Sequence, residues 1–484
     1  MTVSGITILG LGPGEPELLT RQAWEVLNSI KEIYLRTRLH PTVAGLPVRL
    51  RIHSFDRFYE EGESFEDLYE MIIERVLDLG QRPGGVVYAV PGHPFVAEAT
   101  SPEIVRRARQ LDIPVQIVEG ISFIEPAFAM LEIDPYPFTT LVDALELVTV
   151  HHPIFPPTIP ALIAQIHSPA VASEVKLTLM SVYPDEHEVK LIHGAGTADK
   201  VVETIPLYKI DRSRYIRGLT VLYLPPLSPD ASFEAFQEII AHLRAPEGCP
   251  WDRDQTHQTL RPHLLEEAYE VLAALDAEDP LALREELGDL LLQIVLHAQI
   301  ANEYGEFSMV DVLRGIHAKL IRRHPHVFGD LKIEDKEGVI ENWERLKASE
   351  KTEFGEGLGS ILDGVLPNLP ALAQAQAIQA RVARVGFDWE NVKGVCDKIN
   401  EEVKEIQEAV TPEDKEFEIG DLIFATVNLA RWIDVDAESA LRSANARFRS
   451  RFNWMEEAAR NEGRQLSDLT PDEMDVLWNH AKRG

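Results

Sequence analysis

"LLEEAYEVLAALDAEDPLALREELGDLL", Leu264 to Leu291, sets two leucine-rich helical stretches in succession, each with a knot of acids. The first knot is Glu266, Glu267 and Glu270; the second is Glu285, Glu286 and Asp289. At about 100° per residue, Glu266 and Glu270 fall nearly in line with Glu267 to one side, while Leu264, Ala268, Val271 and Leu275 lie opposite. Alone, this is the pattern of a surface helix. The second stretch differs. From Gly288, "GDLLLQIVLHAQ" is apolar nearly all the way round, which predicts a buried helix, and Glu286 and Asp289 share one face at its start. Carboxylates on a buried helix are costly unless paired or metal-bound, and two facing another acidic helix repel unless a cation lies between them. An oxygen-only set without Cys or His favours Mg²⁺, or Mn²⁺, over zinc.

The pattern recurs. Cys249–Leu275 is echoed by Gly386–Val410, and "EELGDLLLQIVLHAQ" (Glu285–Gln299) by "FEIGDLIFATVNLAR" (Phe417–Arg431). The acids return in phase as Glu401, Glu402 and Glu405, then Glu418 and Asp421. Solvated faces diverge freely after duplication, so this recurrence favours ligands over decoration. Basic pairs repeat too: Lys319 with Arg323 and Arg447 with Arg451, then Trp343 with Lys347 and Trp478 with Lys482, all at i, i+4. Beside a Mg²⁺-type cluster they suit phosphate contacts, with a Trp available to stack a base. The combination reads as a nucleotide polyphosphate site in a tandem all-α half.

Working outward, the texture changes near residue 225. Before it, short β-branched runs ("GITILGLG", "GGVVYAV", "VQIV", "VKLTLMSV", "LTVLYLPP") alternate with helical patterns, which argues an α/β domain with a largely parallel sheet. The break "PPLSPDAS" (Pro225–Ser232) and the Gly-rich "GEGLGS" (Gly355–Ser360) divide the 484 residues into an α/β domain over 1–226 and two all-α repeats over 227–352 and 353–484. With 79 acids against 47 bases the formal net charge is −32, which argues against a nucleic-acid polymer or an anionic membrane as the main partner. Two cysteines, Cys249 and Cys396, exclude a disulfide framework. With no signal-like start and no long apolar run, the expectation is a soluble cytoplasmic protein.

E-E-x-x-E followed by E-x-x-D, with "CPWD" upstream and "HPHVFGD" downstream, resembles the MazG family of all-α nucleoside triphosphate pyrophosphohydrolases over about Phe233 to Gly484. The resemblance implies Mg²⁺-dependent cleavage of a nucleoside triphosphate to the monophosphate and pyrophosphate, with Lys and Arg neutralising the phosphates. It assigns metal binding to Glu266, Glu267, Glu270, Glu286 and Asp289, and to Glu401, Glu402, Glu405, Glu418 and Asp421, with one carboxylate of each copy, Glu267 and Glu402, activating water. One departure separates the copies: Phe417 stands where the first has Glu285. Both copies stay candidates.

In the N-terminal half three Gly-containing loops each follow a predicted strand: "ITILGLGPGEPELLT", "YAVPGHPFVAEAT" and "VQIVEGISFIEPA". Such loops at strand carboxyl ends define one crevice, and the G-x-G-x-G spacing is not the dinucleotide fingerprint. Their order, with "HGAGT" (His193–Thr197) and "VLYLPP", resembles the tetrapyrrole methylase family of S-adenosylmethionine-dependent enzymes over about residues 1–226. That resemblance implies a cofactor pocket of Gly12, Pro13, Gly14, Gly92, His93 and Ser122. His93 stands where members commonly carry Asp, and Phe123 where they carry a second small residue. The methyl acceptor, a tetrapyrrole or another molecule, stays open. The whole reads as a pyrophosphohydrolase fused to an adenosylmethionine-dependent methylase-like domain, expected to form a homodimer. Rival readings are a methyltransferase with a regulatory or dimerising α half, and a non-catalytic nucleotide sensor.

Overall fold

The computed structural model describes residues 5–58, 65–333, 335–336, 338–339, 342–343, 345–346 and 360–482, and it divides into two compact units, Met1–His242 and Leu243–Gly484. In the first unit, β1 (Ile6–Gly10), β2 (Glu32–Leu35), β3 (Arg51–Ser54), β4 (Val86–Val90) and β5 (Val115–Val118) form a parallel sheet ordered β3-β2-β4-β1-β5. Helices α1 (Arg21–Ser29), α2 (Phe65–Gly80), α3 (Thr100–Gln110) and α4 (Ile124–Leu131) belong to the same stretch. Strand β1 is apolar without alternation because both sheet faces are covered. Ile6, Ile8, Tyr88 and Val90 join Ile72, Val76 and Ile104 in one core layer. Leu9, Val87 and Ala89 join Ala23, Leu27 and Ile33 in the other.

A second sheet, β6 (Thr140–Asp143), β7 (Ala161–Ala164), β8 (Glu188–His193), β9 (Val201–Pro206) and β10 (Thr220–Leu224), is ordered β6-β7-β10-β8-β9. Its β6–β7 pair is parallel and the other pairs are antiparallel. The sequence therefore reads correctly as α/β with a parallel sheet, but one predicted strand is a helix. "VKLTLMSV" lies largely in α5 (Pro169–Leu179). Ser168 caps its start, Pro169 occupies the first turn, and buried Ala172, Val175 and Leu179 follow a helical phase that outweighs the β-branched composition.

The second unit is helical. After α6 (Phe233–Arg244), in which the division falls, come α7 (His257–Asp276), α8 (Pro280–Glu303), α9 (Met309–Arg323), α10 (Ala371–Arg384), α11 (Val392–Glu408), α12 (Pro412–Trp432), α13 (Ala437–Asn461) and α14 (Pro471–Ala481). The expectation that "GDLLLQIVLHAQ" is buried holds on one face only. Val295, Leu296, Ala298 and Ile300 are buried, whereas Leu287, Leu291 and Ile294 are 49%, 38% and 43% exposed. The same stripe recurs on α12, where Ile419, Ile423 and Phe424 are exposed.

In the first unit three backbones converge. A Cβ on Gly120 would sit 2.3 Å from the Gly92 oxygen, and one on Gly10 would sit 2.6 Å from the Gly120 nitrogen. Gly120→Ala is expected to cost about 1–3 kcal/mol, against no measurable change for Gly84→Ala, where a Cβ meets nothing within 4 Å. Thermal unfolding of the two variants checks this; equal melting would refute it.

Candidate functional sites

Two helical hairpins hold the acids. Thr256 caps α7 through a capping box, and Asp279 with Pro280 starts α8 after a turn in which Glu278 adopts φ +51°. The hairpin brings oxygens of Glu267, Glu270 and Glu286 within 4.8 Å of one another. Burial first, then Glu270, Asp289 and Glu266, pushes the Glu267 carboxyl above its ordinary range. Burial together with Glu270, Asp289 and Glu285 does the same to Glu286. Glu266 is exposed and lies 3.7 Å from His263.

The second copy repeats the geometry. Asn391 caps α11, and Thr411 with Pro412 starts α12. Oxygens of Glu402, Glu405 and Glu418 lie within 4.8 Å of one another. Glu402 is 2% exposed; its Oε1 meets Lys398 Nζ at 2.6 Å, and its Oε2 has no hydrogen-bond donor. Burial and then Glu405, Glu402 and Asp421 raise the Glu418 carboxyl. Glu401 is exposed and paired with Lys398 at 2.8 Å. Each copy thus gathers three of its five predicted acids, sets an Asp (Asp289 or Asp421) close enough to act on them, and turns the first Glu of the E-E pair outward. An all-oxygen set with an orphaned buried acceptor is what a hard cation fits.

A cavity of about 630 Å³ opens beside the second trio, with Lys398, Glu402 and Asp421 at one side and Gln379, Phe387, Trp389, Phe424 and Arg431 around it. Sequence reasoning passed over Lys398 and Trp389. The first was signalled by its i, i+4 distance from Glu402, the second by the Trp that "CPWD" and "GFDW" share. The predicted basic residues instead cover the predicted tryptophans: Arg323 over Trp343 at 5.6 Å, Arg451 and Lys482 over Trp478 at 5.9 and 5.7 Å. Phe448 also packs on Trp478, with centroids 5.2 Å apart. Lys319 and Arg447 are exposed, and Lys347 lies outside the described residues. Arg447, Arg451, Trp478 and Lys482 do not line the cavity.

In the first unit Gly12 and Gly92 exchange backbone hydrogen bonds of 3.2 and 2.8 Å, both in left-handed backbone that suits glycine. Gly14 packs against Gly196 and Thr197 of the "HGAGT" loop, and its carbonyl accepts from Thr42 Oγ1 at 2.7 Å. The loops bound a cavity of about 220 Å³ lined by Pro13, Gly92, His93 and Ser122 of the predicted set, with His40, Phe123, Gln165 and Thr220 added. Gly12 and Gly14 shape the loop and do not line the cavity. His93 Nδ1 accepts from the Phe95 N–H at 3.1 Å, and Ser122 Oγ donates to Glu125 at 2.6 Å.

Comparison with known proteins meets this architecture on both sides. The uncharacterized protein YabN of Bacillus subtilis (strain 168) is 42% identical over 491 residues, which cover 99% of this chain and 98% of YabN. The nucleoside triphosphate pyrophosphohydrolase/pyrophosphatase MazG of Thermotoga maritima is 47% identical over 252 residues, 52% of this chain and 96% of that protein. The chain belongs to the MazG family, in the fused form that YabN represents. The family model for the MazG nucleotide pyrophosphohydrolase domain matches residues 255–328, and that for tetrapyrrole (corrin/porphyrin) methylases matches 5–211. The nucleoside triphosphate pyrophosphohydrolase of Escherichia coli (strain K12) is 45% identical over 51% of this chain and 95% of its own length. Among solved structures, uroporphyrin-III-C-methyltransferase from Thermus thermophilus aligns with 46% of this chain and 92% of its own at 18% identity and a TM-score of 0.36.

The raised carboxyls fix a sign. In the folded state Glu267, Glu286 and Glu418 keep protons that the unfolded chain has released, so their contribution is full below the ordinary glutamate range and is lost as pH rises through the raised values. Added Mg²⁺ is therefore expected to raise the melting temperature more at pH 7.5 than at pH 5. Glu418→Gln is expected to raise the metal-free melting temperature at pH 7.5 by about 2–4 °C, and to shrink the Mg²⁺ response. Scanning calorimetry at the two pH values checks both; a Mg²⁺ shift that is larger at pH 5 would refute the assignment.

Proposed function

We propose that the α half hydrolyses nucleoside triphosphates to the monophosphate and pyrophosphate with Mg²⁺, Mn²⁺ substituting, and that the second copy is the working site. One observation carries this: Glu402 is buried with one oxygen on Lys398 and the other without a donor, facing two more carboxylates. A buried carboxylate in that state calls for a cation. Glu402, Glu405, Glu418 and Asp421 would hold it, as Glu267, Glu270, Glu286 and Asp289 would in the first copy; Glu266 and Glu401 stand further out. A bound ion would supply neutralisation of the phosphates and a water of lowered pKa. Glu402, and Glu267 in the first copy, would take the water's proton. Lys398 fixes the Glu402 rotamer, and the cavity with Trp389 and Phe387 takes the nucleoside. Lys319, Arg323, Arg447, Arg451 and Lys482 are read as positive charge for the phosphates in a chain of net charge −32. The names of the Thermotoga and E. coli relatives support the reading.

The N-terminal unit is read as an adenosylmethionine-binding methyl-transfer domain. Its support is the glycine-built cavity together with the tetrapyrrole methylase family match. The exposed stripe Leu287–Leu291–Ile294 and the exposed Ile419 and Ile423 favour a homodimer in solution. Among the described residues no helix is long and apolar enough to cross a membrane, and with two free cysteines we assign the protein to the cytoplasm.

Pyrophosphate release from a panel of nucleoside triphosphates with Mg²⁺ tests the hydrolase. Glu402→Gln is expected to lose at least about 100-fold in kcat, and Glu267→Gln much less. No release by wild-type protein across the panel would overturn the activity. Loss with Glu267→Gln alone would move it to the first copy. A monomeric mass by sedimentation would refute the dimer.

A further inference from the structure

The chamber beside the second trio has one face of α12 in its wall. Glu418, Asp421, Ala425 and Asn428 follow one another at steps of three or four residues and so form a stripe down that helix. Asp421, Ala425, Asn428 and Arg431 all line the chamber. At about 1.5 Å of rise per residue, Asn428 stands about 10 Å and Arg431 about 15 Å along the axis from Asp421. A nucleotide separates its phosphates from the far edge of its base on that scale.

The end of the chamber away from the acids is a prearranged set of hydrogen bonds. Arg431 Nε donates to Asn428 Oδ1 at 2.9 Å, and its Nη2 donates to Asp388 Oδ1 at 2.6 Å. The same Asp388 oxygen accepts from Trp432 Nε1 at 3.1 Å and from the Trp389 N–H at 2.8 Å. A guanidinium only donates, so the first of these bonds fixes the amide, with Oδ1 toward Arg431 and Nδ2 turned away. Asn428 Nδ2 and Arg431 Nη1 have no partner among the described residues, and neither is sealed from solvent. Two N–H donors of fixed orientation therefore stand in a wall that also holds Phe387 and Trp389. Counting from Glu286 and Glu418, the first copy has buried Leu296 where the second has Asn428.

This pattern constrains the base. Guanine presents two neighbouring acceptors, N7 and O6, and hypoxanthine shares that edge. Adenine sets an exocyclic amine beside N7, so one donor would face another. Asn428 cannot turn its oxygen to that amine without giving up the bond from Arg431. We propose that Asn428 and Arg431 are specificity-determining residues that read the N7/O6 edge of a 6-oxopurine, guanine or hypoxanthine, lying against Trp389 and Phe387. The proposal rests on the pyrophosphohydrolase reading above, in which this chamber takes the nucleoside.

Pyrophosphate release by the full-length protein with Mg²⁺ tests it, read as kcat/KM for GTP, ITP, ATP, CTP and 7-deaza-GTP. GTP and ITP are expected to exceed ATP and CTP about tenfold, and 7-deaza-GTP, which has a C–H in place of N7, to fall about tenfold below GTP. Asn428→Asp keeps an oxygen for Arg431 and replaces the free donor by an acceptor, so the ratio of GTP to ATP is expected to drop about tenfold or more. Melting curves establish that the variant is folded, and the comparison of substrates needs no variant. ATP or CTP turned over as well as GTP, 7-deaza-GTP equal to GTP, or an unchanged ratio in folded Asn428→Asp overturns the base reading and leaves the hydrolase standing. No release from any of the five overturns the hydrolase reading and this inference with it.

Discussion

Like charges held together against their repulsion organise the α half. Three carboxylates within 4.8 Å of one another in each copy would separate if the helices carrying them could slide or fray. The hairpins prevent this with local means: capping boxes at Thr256 and Thr411, caps at Asp279 and Asn391, and prolines in the first turns of α8 and α12. Buried Leu260, Val295 and Leu296 in one hairpin, and Val395, Ala425 and Val427 in the other, supply the packing that offsets the electrostatic cost. The raised carboxyls are the residue of that conflict.

The N-terminal unit meets a different constraint, the close passage of three backbones. Gly10, Gly92 and Gly120 approach so nearly that side chains would collide, and the two-way bonding of Gly12 with Gly92 locks the loops at the ends of β1 and β4. The cavity they bound is shaped by main chain, so its selectivity falls to the few side chains that reach it. His40 is among them, buried and with Nδ1 unpartnered.

How much of this could be read from the sequence varies with the range of the interaction. Acid spacing, caps and duplication are local, so both trios and their hairpins were legible. The exposure of Glu266 and Glu401 was not, because spacing alone does not say which of two adjacent acids faces the neighbouring helix. The parallel sheet was legible from its unbroken apolar strands. The mixed second sheet was missed because β9 carries no alternation of polar and apolar residues and β8 only a four-residue one, and because α5 imitates a strand in composition. The buried-helix expectation failed on the stripe of Leu287, Leu291 and Ile294, since composition around a helix does not say what covers each side.

The two copies keep the same acids yet differ in what lies behind them. Counting from the aligned glutamates, Lys398 corresponds to His263, Ala425 to Gln293, Leu429 to His297 and Val392 to His257. In the second copy Lys398 and the small Ala425 line a cavity reaching Glu402 and Asp421. In the first, His257 and His297 meet Nδ1 to Nδ1 at 2.7 Å, with ring planes 7° apart and centroids 5.0 Å apart. That separation exceeds the nitrogen distance by about two ring radii, so the rings lie edge to edge in one plane, sharing a hydrogen bond and not stacking. Such a pair fixes both rings, and with buried Gln293 one turn away it makes this part of α8 polar. Duplication has thus preserved the charge problem in both hairpins, and in the second a chamber with Trp389, Phe387 and Phe424 in its wall lies beside it. A cation can be held by carboxylates alone, but a nucleoside needs a wall to lie against, and that separates a metal site from a nucleotide site.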